Sequence, residues 1–95
     1  MNVYVTAVIK SKPEFTTEIK ALLETLVTET RKEAACIKYD LHVSIDDSNI
    51  FVFYEIWQHQ EGLTLHNQQP HILAFREAAA GKLQEAPLLF VMKAV

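Results

Sequence analysis

Residues 50–57, IFVFYEIW, are apolar on both faces of any strand they form. Ile50, Val52, Tyr54 and Ile56 point one way, and Phe51, Phe53, Glu55 and Trp57 the other. A strand with two apolar faces belongs at the centre of a sheet with both sides covered. The chain has 95 residues, and a chain of that size buries only about 60–65% of its unfolded surface. It offers two substantial helical regions, enough to cover one sheet face and leave the other bare. The sequence therefore predicts a homodimer. Its 49% hydrophobic content fits a surface closed by a partner, an internal ligand cavity, or both.

Upstream, Val3, Val5, Ala7 and Ile9 alternate with Asn2, Tyr4, Thr6 and Val8, which predicts a strand over residues 2–10. Pro13 and Glu14 suit the first turn of a helix. Phe15, Ile19, Leu22, Leu23, Leu26, Val27 and Thr30 then fall on one helical stripe. This predicts an amphipathic helix of about five turns, ending around Ala34-Ala35-Cys36. Arg31 and Glu33 read as solvated or ion-paired surface groups. Ile37, Tyr39, Leu41, Val43 and Ile45 alternate with Lys38, Asp40, His42 and Ser44 as a half-buried strand, and residues 46–49 are turn chemistry for a hairpin. Two shorter helices are predicted at 60–67 and 70–82, the second with Ile72, Phe75, Ala79 and Leu83 inward. A last strand covers 88–95. The order β-α-β-β-α-β predicts one α+β, ferredoxin-like domain over residues 1–95 with an antiparallel sheet.

The formal charge is −3 and the nine lysines and arginines are scattered, so nothing supports nucleic-acid binding. No apolar run is long enough for a membrane span, and residues 1–10 do not resemble a leader, so a cytoplasmic protein is expected. The single cysteine, Cys36, permits no intrachain disulfide and reads as a buried, inert thiol of a reducing compartment. With Gly62 and Gly81 the only glycines, there is no glycine-rich loop for a nucleotide cofactor, and no serine nucleophile elbow either.

Glu55 and Trp57 share one strand face with Phe51 and Phe53. Glu55 is either a structural acid held by hydrogen bonds, or a carboxyl of raised pKa that orients a histidine or binds a substrate hydroxyl. Trp57 is either core, or a stacking wall that also donates its N–H. His71 follows Pro70, so a helix N-terminus would keep its ring neutral. His66 closes the preceding helical segment, where the field favours the charged form. Oppositely biased histidines suit acid–base work; each could equally be a cap or a surface group. Their separation spans a helix break, unlike a helical zinc pair, and no metal is expected. His59 and Glu61 fit a solvated helix start, and His42 a surface position.

Glu55-x-Trp57, eight residues, His66, four residues including Pro70, then His71-x-x-x-Phe75 resembles the antibiotic biosynthesis monooxygenase family, closest to its quinol monooxygenase branch. Arg31-x-Glu33-x-x-Cys36-Ile37-x-Tyr39 adds a weaker echo. The resemblance runs in element order along essentially the whole chain. It implies a dimeric α+β barrel, two sheets face to face with helices outside and a cavity between each sheet and its helices. It further implies a cofactor-independent enzyme that oxidises a quinol or hydroxylated aromatic with O₂. His71 would be the base, with His66 and Glu55 orienting, Trp57 and Phe53 walling the substrate, Phe75 closing the slot, and Tyr39 among the substrate-binding residues. Relatives usually have a glycine beside the cysteine, where Ala35 stands here. The superfamily also includes isomerases of small phosphorylated signals, which would need cations such as Lys38, Arg76 or Lys82 near the pocket. Haem-degrading relatives carry an asparagine where this chain has Val5-Thr6-Ala7. A non-catalytic barrel holding an apolar ligand is the remaining alternative.

Overall fold

A computed structural model describes residues 1–95. The elements are β1 (Val3–Lys10), a 3-10 turn (Pro13–Phe15), α1 (Thr16–Thr30), β2 (Cys36–Val43), β3 (Ile50–Trp57), α2 (Gln60–His66), α3 (Pro70–Ala79) and β4 (Leu88–Met92). One antiparallel sheet has the order β2-β3-β1-β4, so the expected ferredoxin-like α+β fold is present. The doubly apolar strand β3 is an inner strand, flanked by β2 and β1.

The helices cover one face of this sheet. Val3, Val5, Ala7 and Ile9 of β1 and Phe51, Phe53, Glu55 and Trp57 of β3 are buried beneath them. Ile19, Leu23, Leu26 and Thr30 of α1 face them, with Phe15, Leu22 and Val27 partly buried, as the stripe requires. Ile72, Phe75 and Ala79 bring α3 onto the same core. On the other face Tyr4, Val8, Val52, Tyr54 and Ile56 meet no helix. Strand β4 is bare on both sides, its five apolar residues 40–55% exposed.

Four features depart from the sequence pattern, one of them the last strand, which ends at Met92 rather than 95. The first helix stops at Thr30, and residues 31–35 descend through turns rather than continuing it. A bulge between Cys36 and Lys38 lifts Ile37 out of the alternation; it is 50% exposed, and Ile45 lies in the hairpin turn in full contact with solvent. The third helix ends at Ala79 rather than 82, because Gly81 turns the chain at φ 77°. Residues beyond it are tied to the end of β1: Lys12 N–H donates to Lys82 O at 2.9 Å, and Gln84 N–H to Lys10 O at 2.8 Å.

Ala35 needs no left-handed conformation, since every positive φ belongs to glycine. Its methyl instead sets how closely α2 approaches. A Cβ on Gly62 would collide with the Ala35 Cβ, so a small residue and a glycine together let α2 settle beside the start of β2. His59 caps this helix, its Nδ1 accepting from Gly62 N–H at 3.0 Å. Gly62→Ala should therefore cost about 1–3 kcal/mol through overpacking. The double variant Gly62→Ala/Ala35→Gly should recover most of that loss in urea denaturation. Equal destabilisation of the single and double variants would mean that this contact does not set the approach.

Candidate functional site

β3 positions Glu55 and Trp57, two residues apart on its covered face, 4% and 0% exposed. The Trp57 indole Nε1–H donates to Glu55 Oε1 at 2.9 Å. In the neighbouring strand Tyr39 lies directly opposite Glu55 and stacks on Phe53, ring centroids 4.6 Å apart. His66, the last residue of α2, brings its ring to 4.6 Å from that of Trp57 and 5.5 Å from that of Tyr39.

The residue that organises this cluster is Glu33, in the turn after α1. One oxygen, Oε2, is contacted by His66 Nδ1 at 2.8 Å and by His71 Nε2 at 2.9 Å. All three side chains are largely buried, at 5% (His66), 11% (Glu33) and 15% (His71) exposure. Glu33 is thus hydrogen-bonded to two imidazoles and largely buried, not a solvated surface group. Arg31 keeps its expected surface role, bonded to Asp40 at 3.1 Å and to the Tyr39 carbonyl at 3.2 Å. The donor atoms of Glu33, His66 and His71 lie within 4.8 Å of one another, so a divalent cation is a conceivable occupant. Two ring N–H groups sharing one carboxylate oxygen account for both short contacts without one.

Between sheet and helices lies a cavity of about 150 Å³. Tyr39, Phe53 and Phe75 line it as expected, among Val, Leu and Ile side chains. Its polar lining is Glu55, His66, Asn67 and Arg76. Two expected site residues are not in its wall. Trp57 lies behind Glu55 and spends its N–H on that carboxyl. His71 opens instead onto a larger polar hollow of about 510 Å³ on the far side of Glu33, with Lys32, Gln58 and Gln69. The smaller space is the better candidate for chemistry, because its apolar walls strengthen every interaction inside it.

Burial governs the titration of both polar groups that flank the cavity. It pushes the Glu55 carboxyl up to about 7, against the opposing Trp57 hydrogen bond and with some help from the Glu33 charge. It also lowers the His66 pKa, outweighing the Glu33 carboxylate that would raise it. The helix end was expected to favour charged His66; desolvation reverses that. Burial likewise raises the Tyr39 phenol, and the Cys36 thiol to about 11, in keeping with an inert cysteine.

The fold and these spacings can be set beside known proteins. A family model described as "Antibiotic biosynthesis monooxygenase" matches residues 2–78. The chain belongs to the antibiotic biosynthesis monooxygenase family. Among its relatives, "Putative monooxygenase YcnE" of Bacillus subtilis is 36% identical over 83 residues, 86% of this chain and 85% of that one. "Putative monooxygenase Rv0793" of Mycobacterium tuberculosis is 34% identical over 77 residues, 81% and 74% of the two chains. The structure of Rv0793 superposes with a TM-score of 0.94 at 28% identity, covering 100% of this chain and 96% of the other. "Uncharacterized protein sll1783" of Synechocystis is 31% identical over 85 residues; the match takes in 90% of this chain but 58% of that protein.

A carboxyl whose pKa rises on folding binds extra protons in the folded state, so its contribution to stability falls as pH rises from 4.5 to about 7. His66 acts in the opposite sense, its lowered pKa removing stability as pH drops below 6.5. Glu55→Gln isolates the first effect, since an amide oxygen can still accept from Trp57. Relative to the parent, this variant should gain on the order of 3 kcal/mol between pH 4.5 and 7.5. Chemical denaturation across that range reads the difference; a constant gap would show that Glu55 titrates normally.

Proposed function

We propose that the chain is a cofactor-independent monooxygenase acting on a quinol or hydroxylated aromatic, with His66, rather than His71, as the base. The supporting observation is that His66 and Glu55 line the same apolar cavity while Glu33 holds His66 from behind. An Nδ1–H bonded to Glu33 leaves Nε2, which has no protein partner, as the acceptor. Below pH about 7 Glu55 is largely protonated, with Oε1 taken by Trp57 and an O–H available to a substrate oxygen.

Nε2 of His66 takes a hydroxyl proton from the substrate. The resulting phenolate is a strong reductant and passes one electron to O₂; the radical pair then joins at a ring carbon. Glu55 donates to the peroxide oxygen as charge develops there. Loss of the ring C–H proton and cleavage of the O–O bond leave one oxygen atom as a quinone carbonyl. The other departs in water with the two protons removed from the substrate. The isomerase alternative is left with one free cation at the cavity, Arg76, because Lys38 and Lys82 are engaged by Asp40 and Glu18.

On a quinol substrate, His66→Ala should lower kcat by about 10²–10⁴-fold. His71→Ala, which removes only one donor to Glu33, should cost less than about tenfold. The pH profile should rise through a pKa below 6.5 and fall above about 7 as Glu55 ionises. An unimpaired His66→Ala enzyme, or a greater loss in His71→Ala, would reject this assignment.

The same proposal includes a homodimer in which a second copy covers the helix-free face. Val52 lies on that face opposite Val8 on one side and His42 on the other. Light scattering at micromolar concentration should give twice the chain mass, and Val52→Asp should shift it towards monomer. A monomeric parent protein would remove the dimer, and the barrel with it.

A further inference from the structure

The cavity beside Glu55 and His66 has the volume of one benzene ring rather than two, about 150 Å³. It continues outward into a second hollow of about 370 Å³, and the two share Phe75, Arg76 and Pro87. Arg76 is the only lysine or arginine in either lining. Arg76 is itself exposed, and an exposed arginine without a partner is ordinary; one at the neck of a half-open cavity is placed to act on what enters. Lys10, Arg31, Lys32, Lys38 and Lys82 each have a carboxylate, whereas Arg76 has neither ion pair nor hydrogen bond in the chain. Glu85, the only acid of the outer hollow, is held by Lys10 at 3.1 Å. The neck therefore carries an uncompensated positive charge.

We propose that Arg76 is a specificity residue that binds an anionic substituent, so that the preferred substrate is a one-ring dihydroxyaromatic carrying a carboxylate side chain. The ring occupies the inner cavity with its hydroxyls towards His66 and Glu55. The side chain runs out past Phe75, and the guanidinium takes the carboxylate through paired N–H donors. A fused two-ring quinol exceeds the inner space. This assignment rests on the proposed function for the location of the ring, but its test needs no turnover.

Anaerobic calorimetry should compare (2,5-dihydroxyphenyl)acetate, hydroquinone and 1,4-dihydroxynaphthalene. The parent protein should bind the acid about 10-fold more tightly than hydroquinone, the scale of one partly screened charge-assisted pair, and the two-ring compound more weakly than either. Arg76→Gln should abolish the preference for the acid and leave hydroquinone unchanged; Arg76→Lys should retain part of it. Equal affinity for acid and neutral ring, an unchanged preference in Arg76→Gln, or tight binding of the two-ring compound would overturn the proposal. Binding of the acid in this pattern without oxidation in air would leave Arg76 assigned and reject the oxygenase. Turnover of all three quinols with equal kcat/KM would do the reverse.

Discussion

Two imidazoles meeting on one carboxylate oxygen hold the site together. Glu33 comes from the turn after α1, His66 from the end of α2 and His71 from the start of α3, so the two contacts to Oε2 fasten three separately packed segments. A buried carboxylate without partners would be driven to protonate, and a buried imidazolium without an anion would do the opposite. Together they are stable as a set: removing Glu33 strands both imidazoles, whereas removing one imidazole leaves the carboxylate its other partner. The cluster therefore fixes geometry more than it adds stability. It sets the tautomer of His66 and the depth at which α2 ends over β3.

The two acids near the cavity illustrate how surroundings assign roles. Glu33 has two ring nitrogens within hydrogen-bond distance and serves as their common acceptor. Glu55 has one donor, the Trp57 indole, in a wall of aromatic rings, and that single bond does not offset its desolvation. One carboxyl is held by two imidazoles and the other is kept largely protonated below about pH 7, only one side chain apart through His66. A pair of carboxyls divided in this way can orient a base and supply an acid at once.

Much of this was legible in the sequence, and the exceptions have physical causes. Ile19, Leu23, Leu26, Ile72, Phe75 and Ala79 follow helical period, and Val3 to Ile9 the strand period, because burial on one face imposes both. Glu55 among aromatics left open a hydrogen-bonded structural acid or a carboxyl of raised pKa, and the structure shows it to be both. Glu33 could not be recognised as the partner of His66 by spacing, since 33 residues separate them and the contact exists only after the sheet has formed. Ile37 fits the apolar alternation but sits on a bulge, a backbone feature that no side-chain pattern encodes. His66 was read by its helix end, a surface effect that is small beside the burial it undergoes. Arg76 was weighed only as a possible phosphate ligand; its significance comes from the neck it occupies, which is a property of the fold.

The bare edge strand bears on the cavity as well as on assembly. Leu89 and Val91 pair with Ala7 and Val5 and turn towards the helix side, where they line the inner cavity while remaining more than half exposed. Leu88, Phe90 and Met92 turn to the helix-free face. A second chain that packed only on that face would bury the latter three and leave the cavity wall as it is. One that also wrapped β4 would complete the wall, exclude water from beside Glu55 and strengthen the desolvation on which its neutral form depends. If the dimer forms in the second way, the wrapped strand lifts the Glu55 pKa above the value of about 7 that the single chain already imposes, and dissociating it returns the carboxyl to about 7. Assembly and acid–base chemistry would then be linked through two side chains of one short strand.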